Sequence, residues 1–202
     1  MKKTIGVVLA GGNSTRFGED KAFFKLEGKP MYRHVVDTIW TSGVVDEVII
    51  STNQRLAECF EDMDTIVDGN FQDCGPLGGL HEVSRAFPED CLLVVSCDTP
   101  HVSPEWLRIL GSRAAAYPDA LIVTKAQDRL HPLIGIYQGS GLSDTLRHLI
   151  DRGRLSMRGL FEERQTIEVD AAFYDIDEKI FTNINRKTDI RLRGYESGEH
   201  YR

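Results

Sequence analysis

The segment Leu9-Ala10-Gly11-Gly12-Asn13-Ser14-Thr15-Arg16-Phe17-Gly18-Glu19-Asp20-Lys21 follows an apolar run and joins glycine to fixed positive charge. Glycines after a strand let the backbone approach a phosphate closely, so that its N–H groups can donate to the oxygens. Arg16 adds a planar fork of donors and Lys21 a compact charge, both suited to phosphate. The spacing is not that of a Walker A loop, because Lys21 lies three residues past Gly18 and Ala22 follows it. Nor is there a G-x-G-x-x-G dinucleotide fingerprint. The competing reading is an ordinary surface loop between a strand and the next element.

A second group surrounds two carboxylates. Asp98, in Cys97-Asp98-Thr99-Pro100, follows the most apolar run of the chain. It can serve as an oxygen ligand for Mg²⁺, which is commonly held by one or two carboxylates plus substrate phosphates, or as a turn former. Asp68, between Ile66-Val67 and Gly69, carries the same two readings. Gly75-Pro76-Leu77-Gly78-Gly79 leaves room for a planar base, or for a helix start and close packing. Ser51 and Asn53 end a strand and could bond a base or ribose. Arg129-Leu130-His131-Pro132 reads as a basic loop for a second substrate. The stretch Arg147, His148, Arg152, Arg154 and Arg158 reads mainly as a solvated helix face, with a hold on the second substrate as the alternative.

These residues need a scaffold that gathers strand ends. Apolar runs at Thr4–Leu9, Val48–Ile50, Thr65–Val67, Cys91–Val95 and Leu121–Val123 alternate with helical patterns after Pro30, Gln54, Gly75 and Ser103. Ser103-Pro104-Glu105 supplies an N-cap and a proline at the first helical position. This rhythm predicts an α/β fold, Rossmann-like: an open, mostly parallel sheet with helices on both faces. Beyond Leu121 it loosens into a mixed C-terminal extension, with a strand at Leu133–Tyr137, a helix at Leu142–Ile150 and short strands near Ile167 and Phe173. Residues 1–202 read as a single domain, with halves at 4–100 and 101–190. In open α/β sheets ligands bind at the carboxyl ends of the strands, where the loops Ala10–Lys21, Ser51–Asn53, Asp68–Gly79 and Cys97–Pro100 fall.

The chain has 202 residues, 24 Lys+Arg against 31 Asp+Glu, and a formal charge of −7. That length can bury a full core, and the composition is that of a globular protein. The acidic balance argues against nucleic acid, whose binders depend on Lys and Arg. Cys59, Cys74, Cys91 and Cys97 have no C-x-x-C pair and read as buried small hydrophobes in a reducing compartment. The first apolar run breaks at Gly11-Gly12, far short of the roughly 18 residues a membrane span needs, so the expected location is cytoplasmic, with no membrane association.

Through Leu9-Ala10-Gly11-Gly12…Arg16…Gly18…Asp20-Lys21 and Gly75-Pro76-Leu77-Gly78-Gly79 the chain resembles the nucleoside-triphosphate transferase superfamily. Within it, the tight Arg-Phe-Gly-Glu-Asp-Lys spacing resembles the molybdenum cofactor guanylyltransferase family. Cys97–Pro100, Arg129–Pro132 and Phe181-Thr182-Asn183-Ile184-Asn185 follow in the family's order. The resemblance implies transfer of GMP from GTP to the terminal phosphate of a molybdopterin-type cofactor, with Mg²⁺ and release of pyrophosphate. It implies GTP contacts at Leu9, Ala10, Gly11, Gly12, Lys21, Asp68 and Asp98, with Asp98 also on the metal. Arg16, Lys21 and Asp98 would share the catalytic work. The family's strand-end asparagine falls on Asn53, with Ser51 as the alternative. Partners implied are GTP, the cofactor, and other cofactor-biosynthesis or molybdoenzyme-maturation proteins. Where the family continues Asn-Thr-Pro, Asn185 is followed here by Arg186-Lys187-Thr188.

Two other readings stand beside this one. A related enzyme could use CTP, on molybdopterin or on a small alcohol phosphate or sugar. A nucleotide or cofactor carrier without turnover is the other, and the presence of both Lys21 and Asp98 counts against it.

Overall fold

The computed structural model describes residues 2–11, 20–60 and 62–191. Strands β1 (Thr4–Leu9), β4 (Glu47–Thr52), β5 (Thr65–Val67), β6 (Cys91–Ser96), β7 (Leu121–Ala126), β8 (Arg129–Tyr137) and β9 (Thr166–Asp170) form one sheet in the order β5-β4-β1-β6-β8-β7-β9. The small hairpin β2 (Lys25–Leu26) and β3 (Lys29–Pro30) stands apart. Only β8 runs against the others, because it pairs antiparallel with both β6 and β7. The expected mostly parallel α/β sheet with a mixed C-terminal part is therefore what forms. All six residues of β6 are buried, as a strand covered on both faces requires.

Helices cover both faces. Val8, Ile50, Leu93, Val95 and Ile122 pack beneath α1 (Met31–Ser42) and α4 (Pro104–Ala116). Ile5, Val7, Ile49, Leu92 and Val94 pack beneath α3 (Pro76–Ala86), α5 (Leu142–Asp151) and α6 (Met157–Glu163). The alternation along β1 and β6 splits the core into two layers, one on each face of the sheet. Short helices α2 (Gln54–Ala57) and α7 (Lys187–Arg191) complete the elements.

Several local expectations need correction. Arg129–Pro132 is not a loop but the first half of β8, joined to β7 by the two-residue turn Gln127-Asp128, both at positive φ (50° and 56°). Pro132 cannot donate to a ladder, and the pairing with β7 skips from Gly135 to His131, so residues 132–134 bulge. Phe173 lies in a 3-10 turn, Ala171–Phe173, because the Asp170 carboxylate caps the Ala172 N–H and ends the strand. The helical pattern at Gln54 is a single short turn that ends at Ala57. Trp40, on α1, is half exposed. Cys91 and Cys97 are buried, but Cys59 is exposed and Cys74 partly so.

Candidate functional site

The carboxyl edge of the sheet gathers residues that are distant in sequence. The β1 strand ends beside β4 and β6: the Leu9 carbonyl accepts from the Cys97 N–H and the Ala10 N–H donates to Ser51 O at 2.8 Å. The Ala10 and Gly11 carbonyls accept from Thr52 Oγ1 and Asn53 Nδ2 at 3.3 and 3.0 Å. Gly11 is needed there, since a Cβ would stand 3.3 Å from the Asn53 nitrogen and the Thr52 carbonyl carbon. Gly12 and Arg16 lie outside the described residues.

Lys21 opens a 3-10 turn, Lys21–Phe23, and its ammonium reaches Asp98 Oδ2 at 2.8 Å and Asn185 Oδ1 at 3.2 Å. The side chains of Lys21 and Asp98 are only 18% and 12% exposed. Asp98 sits in a tight turn in which Thr99 folds back, through its N–H and its hydroxyl, onto Ser96 O. The turn-former reading of Asp98 therefore holds, and the same turn aims its carboxylate at Lys21. Its other oxygen, Oδ1, is buried without a hydrogen-bond partner among the described residues. The Asp98 carbonyl accepts from the Ile184 N–H at 2.8 Å, which fixes the C-terminal segment and Asn185 over the site. A carboxylate oxygen left bare beside a lysine is a donor set that suits a hard divalent cation such as Mg²⁺ together with phosphate oxygens. Among the described residues no group of three or more His, Cys, Asp or Glu gathers as a metal cage.

Asp68 is placed at the end of β5 by the bond from its N–H to Thr52 O, and its Oδ1 is also buried and unpartnered among the described residues. Burial raises its carboxyl above the ordinary value, and Asp73 and Glu82 add to the rise. Within Gly75–Gly79, Gly78 and Gly79 are required by close packing. A Cβ on Gly79 would stand 2.6 Å from Ser51 Oγ, and one on Gly78 would collide with the Phe71 carbonyl. Asn53 is doubly committed: its Oδ1 caps α2 by accepting from the Leu56 N–H at 3.1 Å while its Nδ2 holds Gly11. Ser51 is buried under Gly79.

Beside Lys21 and Asp98 opens a cavity of about 400 Å³. Because β8 runs antiparallel, its first residues lie at the same edge as the ends of β1 and β6, and Arg129 and His131 line the cavity with Thr99, Asn183 and Asn185. Burial lowers the His131 imidazole below its usual value, and Arg129 adds to this. The cavity floor is aromatic: Phe181 packs against His131 and against Trp106, whose indole N–H donates to Thr124 Oγ1 at 2.8 Å. The basic stretch of α5 and α6 is engaged in ion pairs of its own. Arg147 pairs with Asp151, Arg154 with Glu162 and Glu163, and Arg158 with Glu162.

The profile of the MobA-like NTP transferase domain matches residues 6–168. A probable molybdenum cofactor guanylyltransferase of Geobacillus sp. (strain WCH70) is 32% identical over 194 residues, spanning 94% of this chain and 97% of that protein. The chain belongs to the MobA-like NTP transferase family. The fold agrees with solved structures. Molybdopterin-guanine dinucleotide biosynthesis protein A from Archaeoglobus fulgidus superposes with a TM-score of 0.78 at 23% identity, over 93% of this chain and 95% of that one. A nucleotidyl transferase from Methanothermobacter superposes at 0.69 and 22% identity, over 95% and 96%. As a MobA-like NTP transferase the protein is a nucleotidyltransferase; Asp68 and Asp98 follow the carboxyl ends of β5 and β6, and Lys21 is bonded to Asp98. No helix among the described residues is long and apolar enough to cross a membrane.

The contacts that sequence reasoning missed are of two kinds. Asn185 belongs to the Phe181–Asn185 motif, but its partnership with Lys21, 164 residues away, has no mark in the sequence. Arg55 gave no signal, although it grips Asp20 next to Lys21.

Proposed function

We propose that this nucleotidyltransferase moves GMP from GTP to the terminal phosphate of a molybdopterin-type cofactor, releasing pyrophosphate. The observation that carries the reading is the Lys21–Asp98–Asn185 cluster, with a buried, unpartnered carboxylate oxygen, whose Asn185 lines the same cavity as Arg129 and His131. The family resemblance and the guanylyltransferase relative supply the substrates.

A terminal phosphate oxygen of the acceptor attacks the α-phosphorus of GTP. The bond from that phosphorus to the bridging oxygen breaks in line, and pyrophosphate leaves with the electron pair. The nucleophile is already anionic, so no side chain has to act as a strong base. The protein's work is positioning and charge stabilisation. Lys21 faces the phosphates, with Arg16, Leu9, Gly11 and Gly12 as the further contacts the family resemblance implies, whereas the Ala10 N–H is already given to Ser51 O. Asp68 and Asn53 lie on the nucleotide side, Asn53 by holding Gly11 in place. Arg129, His131, Asn183 and Asn185 face the acceptor. Asp98 would hold Mg²⁺ through Oδ1, and the ion, when bound, neutralises charge on the triphosphate.

Thermal-shift titration with GTP, CTP, UTP and ATP, each with Mg²⁺, tests the base. GTP alone is expected to raise the melting temperature strongly; selective stabilisation by CTP would make this the cytidylyl enzyme instead. Pyrophosphate release that requires both GTP and the acceptor tests turnover against a carrier role.

A further inference from the structure

The turn that carries Lys21 is held from two sides by one short segment of the chain. On the polar side, Arg55 of α2 donates two hydrogen bonds to the Asp20 carboxylate, NH1 to Oδ2 at 2.8 Å and NH2 to Oδ1 at 2.6 Å. Asp20 is the residue before Lys21, and its carbonyl accepts from the Phe23 N–H to close the turn. On the apolar side, Phe23 packs on Phe60, just beyond α2, with ring centroids 4.7 Å apart, and on Tyr32 at 5.6 Å. Ala22, between them, is buried. Asn53 at the start of α2 holds Gly11, so α2 grips the chain both before and after the phosphate segment.

We propose that Arg55 is a positioning residue for nucleotidyl transfer, acting through Asp20 to aim the Lys21 ammonium at Asp98 and the nucleotide phosphates. The inference rests on the reading of Lys21 as a phosphate-facing group. Magnitudes separate this role from a stabilising one. The Arg55 side chain is 59% exposed and that of Asp20 33%, and exposed ion pairs add little to folding stability. Geometry is different, because a displacement of about 1 Å at a reacting centre can cost about a hundredfold in rate. The Asp20 carboxyl is held below its usual range by the hydrogen bonds from Arg55, so the pair stays charged through neutral and mildly acid conditions. Both prongs of the guanidinium point at Asp20, an arrangement a lysine at this position would not reproduce.

The test is a cycle of full-length variants, Arg55→Ala, Arg55→Lys, Lys21→Ala and Lys21→Ala/Arg55→Ala. Each is assayed by pyrophosphate release with GTP, Mg²⁺ and the molybdopterin acceptor, and by thermal melting. Arg55→Ala is expected to lose between about tenfold and a hundredfold in kcat. Its melting temperature should move by no more than about 3 °C. Arg55→Lys should fall with it, and in the Lys21→Ala background the Arg55 effect should disappear. Wild-type kcat in Arg55→Ala or Arg55→Lys overturns the proposal. So does a full, additive loss in the double variant, which would mean that Arg55 acts independently of Lys21. An unimpaired Lys21→Ala protein would remove both this proposal and the role of Lys21 itself, whereas an impaired Lys21→Ala beside an intact Arg55→Ala refutes only the former.

Discussion

Replacing Lys21 with alanine tests the site through two separate quantities. The ammonium lies 2.8 Å from Asp98 Oδ2, and both side chains are largely buried. The other Asp98 oxygen has no partner among the described residues, so losing Lys21 strips the carboxylate of its counter-charge. Removing one member of a buried pair costs about 3–5 kcal/mol, and the slight opening to solvent here places the expected loss near about 3 kcal/mol. For a chain of this size that lowers the melting temperature by about 6–12 °C. Catalysis should suffer separately, by roughly 3 kcal/mol of transition-state stabilisation or about 150-fold in kcat, as for removal of a single preorganised donor. Urea denaturation and pyrophosphate release measure the two effects. The decisive partner is Lys21→Ala/Asp98→Asn, in which the stranded charge is gone. Its stability should recover part of the loss while turnover stays low. A double variant less stable than Lys21→Ala by the full cost of Asp98→Asn alone, or a Lys21→Ala enzyme with wild-type kinetics, would refute the reasoning.

Three further outcomes follow from the same geometry. Asp68→Asn should weaken GTP by roughly tenfold or more, through loss of a charged acceptor, while melting a few degrees higher at neutral pH. The sign comes from burial: the folded carboxyl lies above its ordinary 3.8, so the native state keeps a proton the unfolded chain has lost and stability falls as pH rises through that interval. The variant's gain should therefore vanish below pH 3.8, which melting at a series of pH values will check. Gly78→Ala puts a Cβ on the Phe71 carbonyl and 3.0 Å from the Phe71 Cβ. It should cost about 1–3 kcal/mol in denaturation and, by shifting the 3-10 turn Gly69–Cys74 after Asp68, weaken GTP in titration. Phe181→Ala, which empties the fully buried wall between Trp106 and His131, should cost about 3–5 kcal/mol and raise KM for the acceptor with KM for GTP unchanged.

Much of the scaffold was legible because buried parallel strands are written as unbroken apolar runs. Cys91–Val95 announced the centre of the sheet, and β6 is flanked there by β1 and β8. The rule that ligands meet strand carboxyl ends then brought Lys21, Asp68 and Asp98 to one edge, where the structure places them. The first half of β8 was not legible, because Pro132 and the charged residues before it look like a loop; a strand at the rim, bulged at the proline, tolerates both. Phe173 read as a strand by its type alone, while a cap from Asp170, two residues after Glu168, ended the strand. The glycines of Gly75–Gly79 kept two meanings in sequence, and the nearness of Phe71 and Ser51 shows that close packing applies at Gly78 and Gly79. Arg55 carried no local signal and Asn185 only its place in the late motif, because their roles come from contacts with Asp20 and Lys21 that span 35 and 164 residues.

The most direct test of the proposed reaction follows the α-phosphate of the nucleotide. The protein is incubated with Mg²⁺, a molybdopterin-type cofactor and GTP or CTP labelled at the α-phosphorus, and the products are separated by chromatography. Label from GTP should appear in a dinucleotide cofactor with one pyrophosphate released for each transfer, and the product should be absent without the acceptor. Label entering the product from CTP in preference to GTP, or no transfer from either, would contradict guanylyl transfer by this chain.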